Sequence, residues 1–289
     1  MRSKIIKKGI QDFNLDHIFN CGQCFRWKKQ GDGSYTGIAF GKVVSFFFDE
    51  KSGTLTIDNT SEKDFQDIWM KYLDLKRDYG VIKKELSRND EIMKKAVEFG
   101  YGIRILNQEK WETIVSFIIS QNNNIPRIKK SIENLAEKFG ERAGAYKGKD
   151  YYNLPTIDKL ASLTEKDLAP IRLGYRAKYL IETAKRVKEM GGEQWLENIC
   201  KRCSGCDEVL ERVTSLPGVG PKVANCILLF CMDRHDSFPI DVWIARLMHR
   251  FYGIDEKDKN AMKKFAKEHY GDYCGFAQQY LFYYGRKQQ

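Results

Sequence analysis

The stretch that decides the fold is residues 216–222, which read LPGVGPK. Two glycines in three residues permit a tight turn with exposed backbone N–H groups, and Pro221 suits the first position of a helix. Apolar helical patterns lie on both sides, so residues 207–232 are predicted to form a helix, a hairpin and a second helix. Amides at a helix N-terminus bind phosphate, so we expect Gly218 and Gly220 to contact a nucleic-acid backbone.

Lys222 is an unusual residue for the first turn of a helix, because a cation there opposes the helix dipole. It could be a solvated lysine or a phosphate contact. It could also be a nucleophile, since a positive helix end and a partly desolvated pocket both disfavour the ammonium form. The local pattern leaves these alternatives open.

Asp241 lies 19 positions after Lys222, in the segment FPIDVW at 238–243. It precedes an apolar helix, and its ordinary role would be an N-cap, which the local pattern alone favours. A carboxylate at that position can also face a reaction centre that develops positive charge.

The rest of the chain divides into strands and then helices. Residues 13–58 are predicted to form strands, with 35–40 and 43–48 flanking a Gly41-Lys42 turn. Beyond them the period becomes helical and stays so to the end. We therefore predict an α+β protein, with an N-terminal antiparallel β domain at 1–84 and a larger helical domain at 85–289.

Composition limits the class of protein. Lys and Arg number 49 against 39 Asp and Glu, a formal charge of +10 that favours an anionic partner. Hydrophobic residues make up 42%, enough to bury a core. No apolar run approaches ~18 residues, so no transmembrane helix is expected. With eight cysteines and no apparent signal peptide, we expect reduced thiols in the cytoplasm.

Three further segments carry a resemblance to a known family. They read CGQCFRW at 21–27, SQNNNIPR at 120–127 and LGYRAKY at 173–179. Together with the hairpin lysine and Asp241, in collinear order, they resemble the 8-oxoguanine DNA glycosylase/AP lyases of the helix-hairpin-helix, Gly/Pro…Asp superfamily. The resemblance implies a TBP-like antiparallel sheet domain, followed by an all-α helix-hairpin-helix domain in two subdomains around a cleft.

The resemblance also implies roles for individual residues. Lys222 would attack the sugar of a flipped nucleotide to give a Schiff base, and Asp241 would stabilise the oxocarbenium-like transition state. The implied base pocket consists of Gly22, Cys226, Phe230, Gln278 and Phe282. The implied opposite-base and wedge residues are Asn122, Arg127, Tyr175 and Arg176. The implied phosphate contacts are Gly218, Gly220 and Trp243.

We expect no cofactor and no metal. Cys21 and Cys24 lie outside a thioredoxin-like context, and Cys200, Cys203 and Cys206 lack an evident fourth ligand. Whether the hairpin carbonyls bind a monovalent cation stays an open question. The expected partner is double-stranded DNA containing 8-oxoguanine opposite cytosine. We expect a monomer with no membrane association, located in the cytoplasm or at the nucleoid of a bacterium.

Two alternative functions remain at this point. One is an alkylpurine DNA glycosylase of the same superfamily, which would act through Asp241 and water, although Lys222 argues against it. The other is a non-catalytic helix-hairpin-helix module that only holds DNA.

Overall fold

A computed structural model describes residues 3–200 and 206–287, without the side chains of Cys206 and Lys287. The strands are β1 (Lys4–Lys7), β2 (Trp27–Lys29), β3 (Tyr35–Ala39), β4 (Lys42–Asp49), β5 (Thr54–Asp58), β6 (Arg142–Tyr146) and β7 (Lys149–Tyr152). The main sheet is antiparallel, with the strand order β1-β5-β4-β3-β2, and β6 pairs with β7 in a separate hairpin.

Helices occupy most of the remaining described chain. They are α1 (Leu15–Asn20), α2 (Glu62–Asp64), α3 (Met70–Tyr72), α4 (Tyr79–Leu86), α5 (Glu91–Phe99), α6 (Lys110–Ser120), α7 (Ile125–Phe139), α8 (Ile157–Ser162), α9 (Glu165–Leu168), α10 (Arg176–Glu189), α11 (Gly192–Asn198), α12 (Cys206–Thr214), α13 (Pro221–Cys231), α14 (Val242–Tyr252), α15 (Lys259–Tyr270) and α16 (Cys274–Lys287). A π-helical turn at Phe65–Trp69 joins α2 to α3. The predicted α+β class is confirmed.

The central strands agree with the sequence prediction to within one residue at each end. Ala39 pairs with Lys42, so the β3–β4 turn consists of Phe40 and Gly41, both with positive φ (52° and 66°). This is the type I′ geometry that matches the twist of two antiparallel strands. A positive φ is unfavourable for Phe40. Its N–H donates to Glu109 Oε2 at 2.6 Å, and this hydrogen bond helps to hold Phe40 in that conformation.

The prediction of strands throughout 13–58 is wrong at Leu15–Asn20, which is helix α1. The Asn14 side chain accepts a hydrogen bond from the His17 N–H and caps this helix. Six residues are too few to display a helical period.

The hairpin β6–β7 was also not predicted, and its position depends on tertiary contact. Tyr146 packs on Ile38 and Val43 of the main sheet. Its hydroxyl donates to Asp58 Oδ2 at 2.6 Å. This hairpin has no β-branched residue, and only its three tyrosines favour strands, so the packing against the sheet strengthens a weak local propensity.

Each part of the molecule has its own core. The sheet covers an aromatic cluster in which Phe19 and Trp27 stack at 4.7 Å and Phe46 meets Trp69 edge-on at 5.5 Å. The helical part is built around α13, which packs against α6 and α12. Nearly all of α13 beyond its first turn is buried. The hairpin that precedes α13 is therefore joined to a helix that packing holds in place.

Arg26 joins the two parts through a buried ionic cluster. Its guanidinium donates to Glu133 Oε1 at 3.1 Å, to Glu112 Oε2 at 3.3 Å and to the Tyr152 carbonyl at 2.5 Å. Burial raises the pKa of Glu112 to about 7, even though Arg26 acts in the opposite direction. The cluster ties the loop before β2 to α6, α7 and β7.

Among the residues that the structure describes, no helix is both long enough and apolar enough to cross a membrane.

Replacing Arg26 with methionine should lower the free energy of unfolding by about 1.5–3 kcal/mol, because two partly buried carboxylates lose a charged hydrogen-bond donor. A carboxyl whose pKa is raised on folding stabilises the protein when protonated and loses that contribution as pH rises. The decrease in the free energy of urea unfolding caused by the substitution should therefore be larger at about pH 8, where Glu112 is mostly ionised and needs its partner, than at about pH 5.5, where it is mostly protonated.

Lys29→Met is the control, because the Lys29–Asp16 pair is exposed and such pairs contribute about 0–1 kcal/mol. Equal losses for the two variants, or a loss in Arg26→Met that does not vary with pH, would contradict the role of the cluster.

Candidate active site

The two glycines of the hairpin serve different purposes. Gly218 has φ +74°, and a Cβ there would lie 2.5 Å from Tyr179 Cγ, so only glycine fits. Gly220 has φ −85° and is the exposed N-cap of α13, with no atom within 4 Å of a Cβ placed there. Its missing side chain leaves the amides of the first turn of α13 accessible to an anion.

Lys222 lies in that first turn and is half-buried. Its Nζ is 5.3 Å from the centroid of the Phe117 ring, which in turn stacks on Phe230 at 5.4 Å. Cys226, one turn along α13, is buried. Burial raises the pKa of the Cys226 thiol, and the nearby Lys222 ammonium offsets part of that rise. Lys222 thus sits on an aromatic wall, next to a neutral thiol.

Asp241 is the N-cap of α14. Its Oδ1 accepts a hydrogen bond from the Ile244 N–H at 2.8 Å, so the capping role predicted from sequence is present. The same half-buried carboxylate also lines a cavity with Lys222. Capping engages one oxygen, and the group as a whole still faces the cavity.

That cavity, the base pocket, has a volume of about 40 Å³. Its walls come from the loop after α1, from α6, from α13, from the segment before α14 and from α16. The lining residues are Cys21, Gly22, Phe117, Lys222, Cys226, Phe230, Pro239, Asp241, Gln278, Gln279 and Phe282. Every residue predicted for catalysis or for the base pocket is among them. Sequence reasoning missed Cys21, Phe117, Pro239 and Gln279.

Gly22 closes one side of the base pocket. It has φ +86°, and a Cβ there would lie 3.0 Å from Phe282 Cε1. Gln23 holds this loop from behind: its Nε2 donates to the Ile18 and Arg104 carbonyls, and its Oε1 accepts from the Leu106 N–H, all at 2.8–2.9 Å. The loop therefore presents its backbone to the ring of Phe282.

A much larger cleft of about 990 Å³ opens next to the base pocket. Lys222 and Asp241 line both cavities. The exposed Tyr175 and Trp243 rings line the cleft, as do Asn122 and Gly220. Three lysines that were not predicted, Lys257, Lys259 and Lys263, add positive charge to its wall. A basic cleft leading to a buried pocket suits a strand with one nucleotide turned inward.

Comparison with known proteins gives the same assignment for both parts of the chain. Residues 5–114 match the family described as "8-oxoguanine DNA glycosylase, N-terminal domain", and residues 115–270 match "HhH-GPD superfamily base excision DNA repair protein". The chain belongs to the 8-oxoguanine DNA glycosylase family. It is 30% identical to N-glycosylase/DNA lyase OGG1 of Arabidopsis thaliana, over 94% of this chain and 77% of that protein.

Two solved structures are similar over nearly their whole length. The 8-oxoguanine glycosylase/lyase of Clostridium acetobutylicum, in complex with double-stranded DNA containing cytosine opposite 8-oxoguanine, is 45% identical with a TM-score of 0.92, covering 100% of this chain and 98% of that one. MBOgg1 in complex with a low-affinity DNA ligand is 48% identical with a TM-score of 0.93, covering 99% and 96%.

Of the four residues predicted to contact the opposite base or wedge into the duplex, two line the cleft and two do not. Asn122 and Tyr175 line the cleft, whereas Arg127 and Arg176 do not. Arg176 is buried, and its guanidinium donates to the carbonyls of Gln121, Asn122 and Leu173. These bonds use four of the five N–H groups of the guanidinium, which leaves at most one to pair with a base. Arg127 is exposed and donates only weakly, to the Arg172 carbonyl at 3.3 Å.

Gln121 is a further residue of this glycosylase that sequence reasoning quoted without assigning. Its carbonyl accepts from Arg176, and its Nε2 donates to the Gly218 carbonyl at 2.9 Å. It therefore joins the Asn-rich loop to the hairpin. The carbonyls of Leu216 and Pro217 also accept hydrogen bonds within the chain, from Val219 N and Thr183 Oγ1.

The cysteines show no ligand set where the structure describes them. Burial raises the pKa of the Cys21 thiol to about 12 and that of Cys24 well above its usual value. Within residues 3–200 and 206–287, no group of three or more His, Cys, Asp or Glu side chains could hold a metal ion. Cys203 and the Cys206 side chain lie outside the described residues. The prediction that Cys200, Cys203 and Cys206 bind no metal therefore stays a prediction.

The hairpin glycines offer a matched pair of substitutions. Gly218→Ala should lower the free energy of unfolding by at least about 1–2 kcal/mol, because it forces a left-handed conformation on alanine and a contact with Tyr179. Gly220→Ala should leave the urea-unfolding midpoint unchanged but weaken DNA binding, because its methyl group would stand where a phosphate approaches.

Binding is measured by fluorescence anisotropy on an undamaged duplex at fixed salt. If Gly220→Ala bound DNA as tightly as the wild type, phosphate capture at this helix end would be refuted.

Proposed function

We propose that this glycosylase removes 8-oxoguanine from duplex DNA and nicks the resulting abasic site, with Lys222 as the nucleophile. One observation carries the proposal: Lys222 and Asp241 line both the basic cleft and the buried base pocket. Two relatives support it, since they are named as N-glycosylase/DNA lyase and 8-oxoguanine glycosylase/lyase.

The damaged nucleotide has to leave the base stack, because its glycosidic carbon is inaccessible within the duplex. The base pocket, at about 40 Å³, is far smaller than the cleft of about 990 Å³ beside it. The flipped base would enter the pocket past Lys222 and Asp241, which line both cavities. Phe282, which is only half-buried, would then stack on the base.

The proposed chemistry balances without a cofactor. The lone pair of Lys222 Nζ forms a bond to C1′ as the C1′–N9 bond breaks, and the departing base carries off the electron pair and takes up the proton that Nζ releases. The C1′–O4′ bond then breaks and O4′ takes a proton from water, which opens the ring and leaves a protonated Schiff base between Lys222 and C1′. The departing base or a nearby group removes a C2′ proton, and the C3′–oxygen bond then breaks, so the strand is cut 3′ to the lesion. The carboxylate of Asp241 stabilises the positive charge that develops on the sugar.

Discrimination against guanine would depend on N7, which is an N–H donor in 8-oxoguanine and a bare acceptor in guanine. A carbonyl at Gly22 would accept from the first and face a lone pair in the second. A repulsive or unsatisfied buried pair costs about 1–3 kcal/mol. Rejection of guanine would thus contribute more than attraction of the lesion.

The damaged base would lie opposite cytosine, whose O2 and N3 accept hydrogen bonds once the 8-oxoguanine has left the stack. Asn122, which lines the cleft, and the exposed Arg127 would donate to them, and Tyr175 would fill the gap in the duplex. We assign Arg176 chiefly to holding the loop that carries Asn122, given its three carbonyl partners. The enzyme would act as a monomer on chromosomal DNA in the cytoplasm, at the nucleoid in a bacterium.

Lys222→Gln should abolish both excision and nicking while duplex binding survives, because glutamine is close in size but is not a nucleophilic amine. Borohydride reduction should trap wild-type enzyme on 8-oxoguanine DNA and should not trap the variant. Lys257→Gln, which removes another lysine of the cleft, is the control and should still be trapped. Trapping of Lys222→Gln at the wild-type level would assign the nucleophile elsewhere.

Asp241→Asn should lower single-turnover excision by about 10²–10³-fold, the range expected for loss of an electrostatic group. Asparagine also caps helices, so thermal stability should hardly change. Asp78→Asn is the matched control, since Asp78 caps α4 through the Val81 N–H. Full activity of Asp241→Asn would mean that the carboxylate is only a cap.

Arg127→Ala should reduce the preference for cytosine over adenine by about 10-fold or more, if a base contact supplies about 1–3 kcal/mol of discrimination. Excision is compared opposite each of the four bases. Arg176→Ala should instead lower the urea-unfolding midpoint, because three carbonyls lose a donor. Equal losses opposite all four bases in Arg127→Ala would mean that Arg127 contacts phosphate.

A further inference from the structure

The base pocket contains a second glutamine to which no role has been given. Gln279, on α16, is only 3% exposed and lines the pocket next to Gln278. Its Nε2 donates to Gln278 Oε1 at 2.7 Å. Its own Oε1 is buried and accepts no hydrogen bond from the residues that the structure describes.

A buried amide oxygen without a donor is uncommon, because the loss of hydration is not compensated. In this case the amide lines a pocket that we propose receives a base. An N–H group of that base can supply the missing donor. The unsatisfied atom is then a binding group, whose partner arrives with the substrate.

The order of polar atoms fits one face of a guanine-type base. Its Watson–Crick edge presents an acceptor, O6, followed by two donors, N1–H and the exocyclic N2 amino group. The Gln278 amide can donate to O6 and accept from N1–H. Since Gln279 is bonded to Gln278 Oε1, its amide lies on the side of that oxygen, where the amino group follows N1.

The hydrogen bond between the two amides couples their orientations. If the Gln278 amide alone turned by half a revolution, its NH₂ group would face the NH₂ group of Gln279. In the arrangement observed, with Gln279 as the donor, Gln278 Nε2 lies on the side that O6 would occupy.

We propose that Gln279 is a second base-binding residue, whose Oε1 accepts a hydrogen bond from the exocyclic amino group of the flipped base. This inference rests on the proposed function, because it requires a guanine-type base to enter the pocket. It adds a determinant that distinguishes guanine-type lesions from analogues lacking the amino group.

The test compares two duplexes that differ only in that amino group: one carries 8-oxoguanine and the other carries 8-oxohypoxanthine, both opposite cytosine. Single-turnover excision is measured for wild type, Gln279→Met and Gln66→Met, a control at an exposed position of the π-helical turn. Rates are divided by each protein's rate on a preformed abasic site, which reports folded enzyme with a reactive Lys222 but involves no base.

Wild type and Gln66→Met should excise 8-oxohypoxanthine about 10-fold more slowly than 8-oxoguanine, as expected for one buried hydrogen bond and its unsatisfied partner. In Gln279→Met the two rates should be nearly equal. Equal rates for the two bases in wild type would overturn the role of Gln279 without any variant. A ratio unchanged in Gln279→Met would overturn it too, since another group must then bind the amino group.

Failure of the proposed function has a different signature. Wild type would then nick the preformed abasic site but excise neither base, or would do neither, and the assignment of Gln279 would fall with it.

Discussion

The base pocket depends on the way the loop at 21–27 is anchored, because this loop brings the sheet part of the molecule to a site otherwise built from helices. Gln23 is held by three backbone groups, and Arg26 lies between two acidic side chains of the helical part. Buried ion pairs add little net stability compared with apolar packing, but their directional bonds fix a geometry. In this protein the fixed geometry is that of Gly22 against Phe282.

A structural role and a proposed catalytic role can coincide in one residue, so the alternatives open at the sequence level do not exclude one another. Asp241 caps α14 with one oxygen and still lines the cavity with Lys222. Gly218 is required by its positive φ and by Tyr179, whereas Gly220 meets neither constraint. Glycine is a favoured N-cap residue, and at Gly220 it also leaves the helix end open to a group that approaches from outside the chain.

Period and turn chemistry were sufficient to predict the α+β class and strands β3, β4 and β5, because these features are local. The hairpin β6–β7 escaped prediction since the sheet selects it through Tyr146. The residues of the base pocket were predicted from the family resemblance and not from their spacing in the sequence. The pocket joins segments more than two hundred residues apart, such as those of Gly22 and Phe282. The burial of Arg176 and the unpaired oxygen of Gln279 depend on packing, which no single segment reveals. The domain boundary at residue 84 and the individual site roles stay predictions.

Three departures from ordinary folding preferences meet at the base pocket. Lys222 lies at the positive end of a helix, a placement that costs about 0.3–1 kcal/mol, and Gln279 buries an acceptor without a donor. Gly22 adopts a left-handed conformation, in which a Cβ would lie 3.0 Å from Phe282 Cε1. Several helices away from the cavity have side-chain caps, from Asn14, Asp90 and Asp258 among others. Local conflicts of this kind persist where function requires them. A module that only gripped the DNA backbone would need the hairpin and its exposed amides, but it would have no use for an unpaired amide or a half-buried amine behind them.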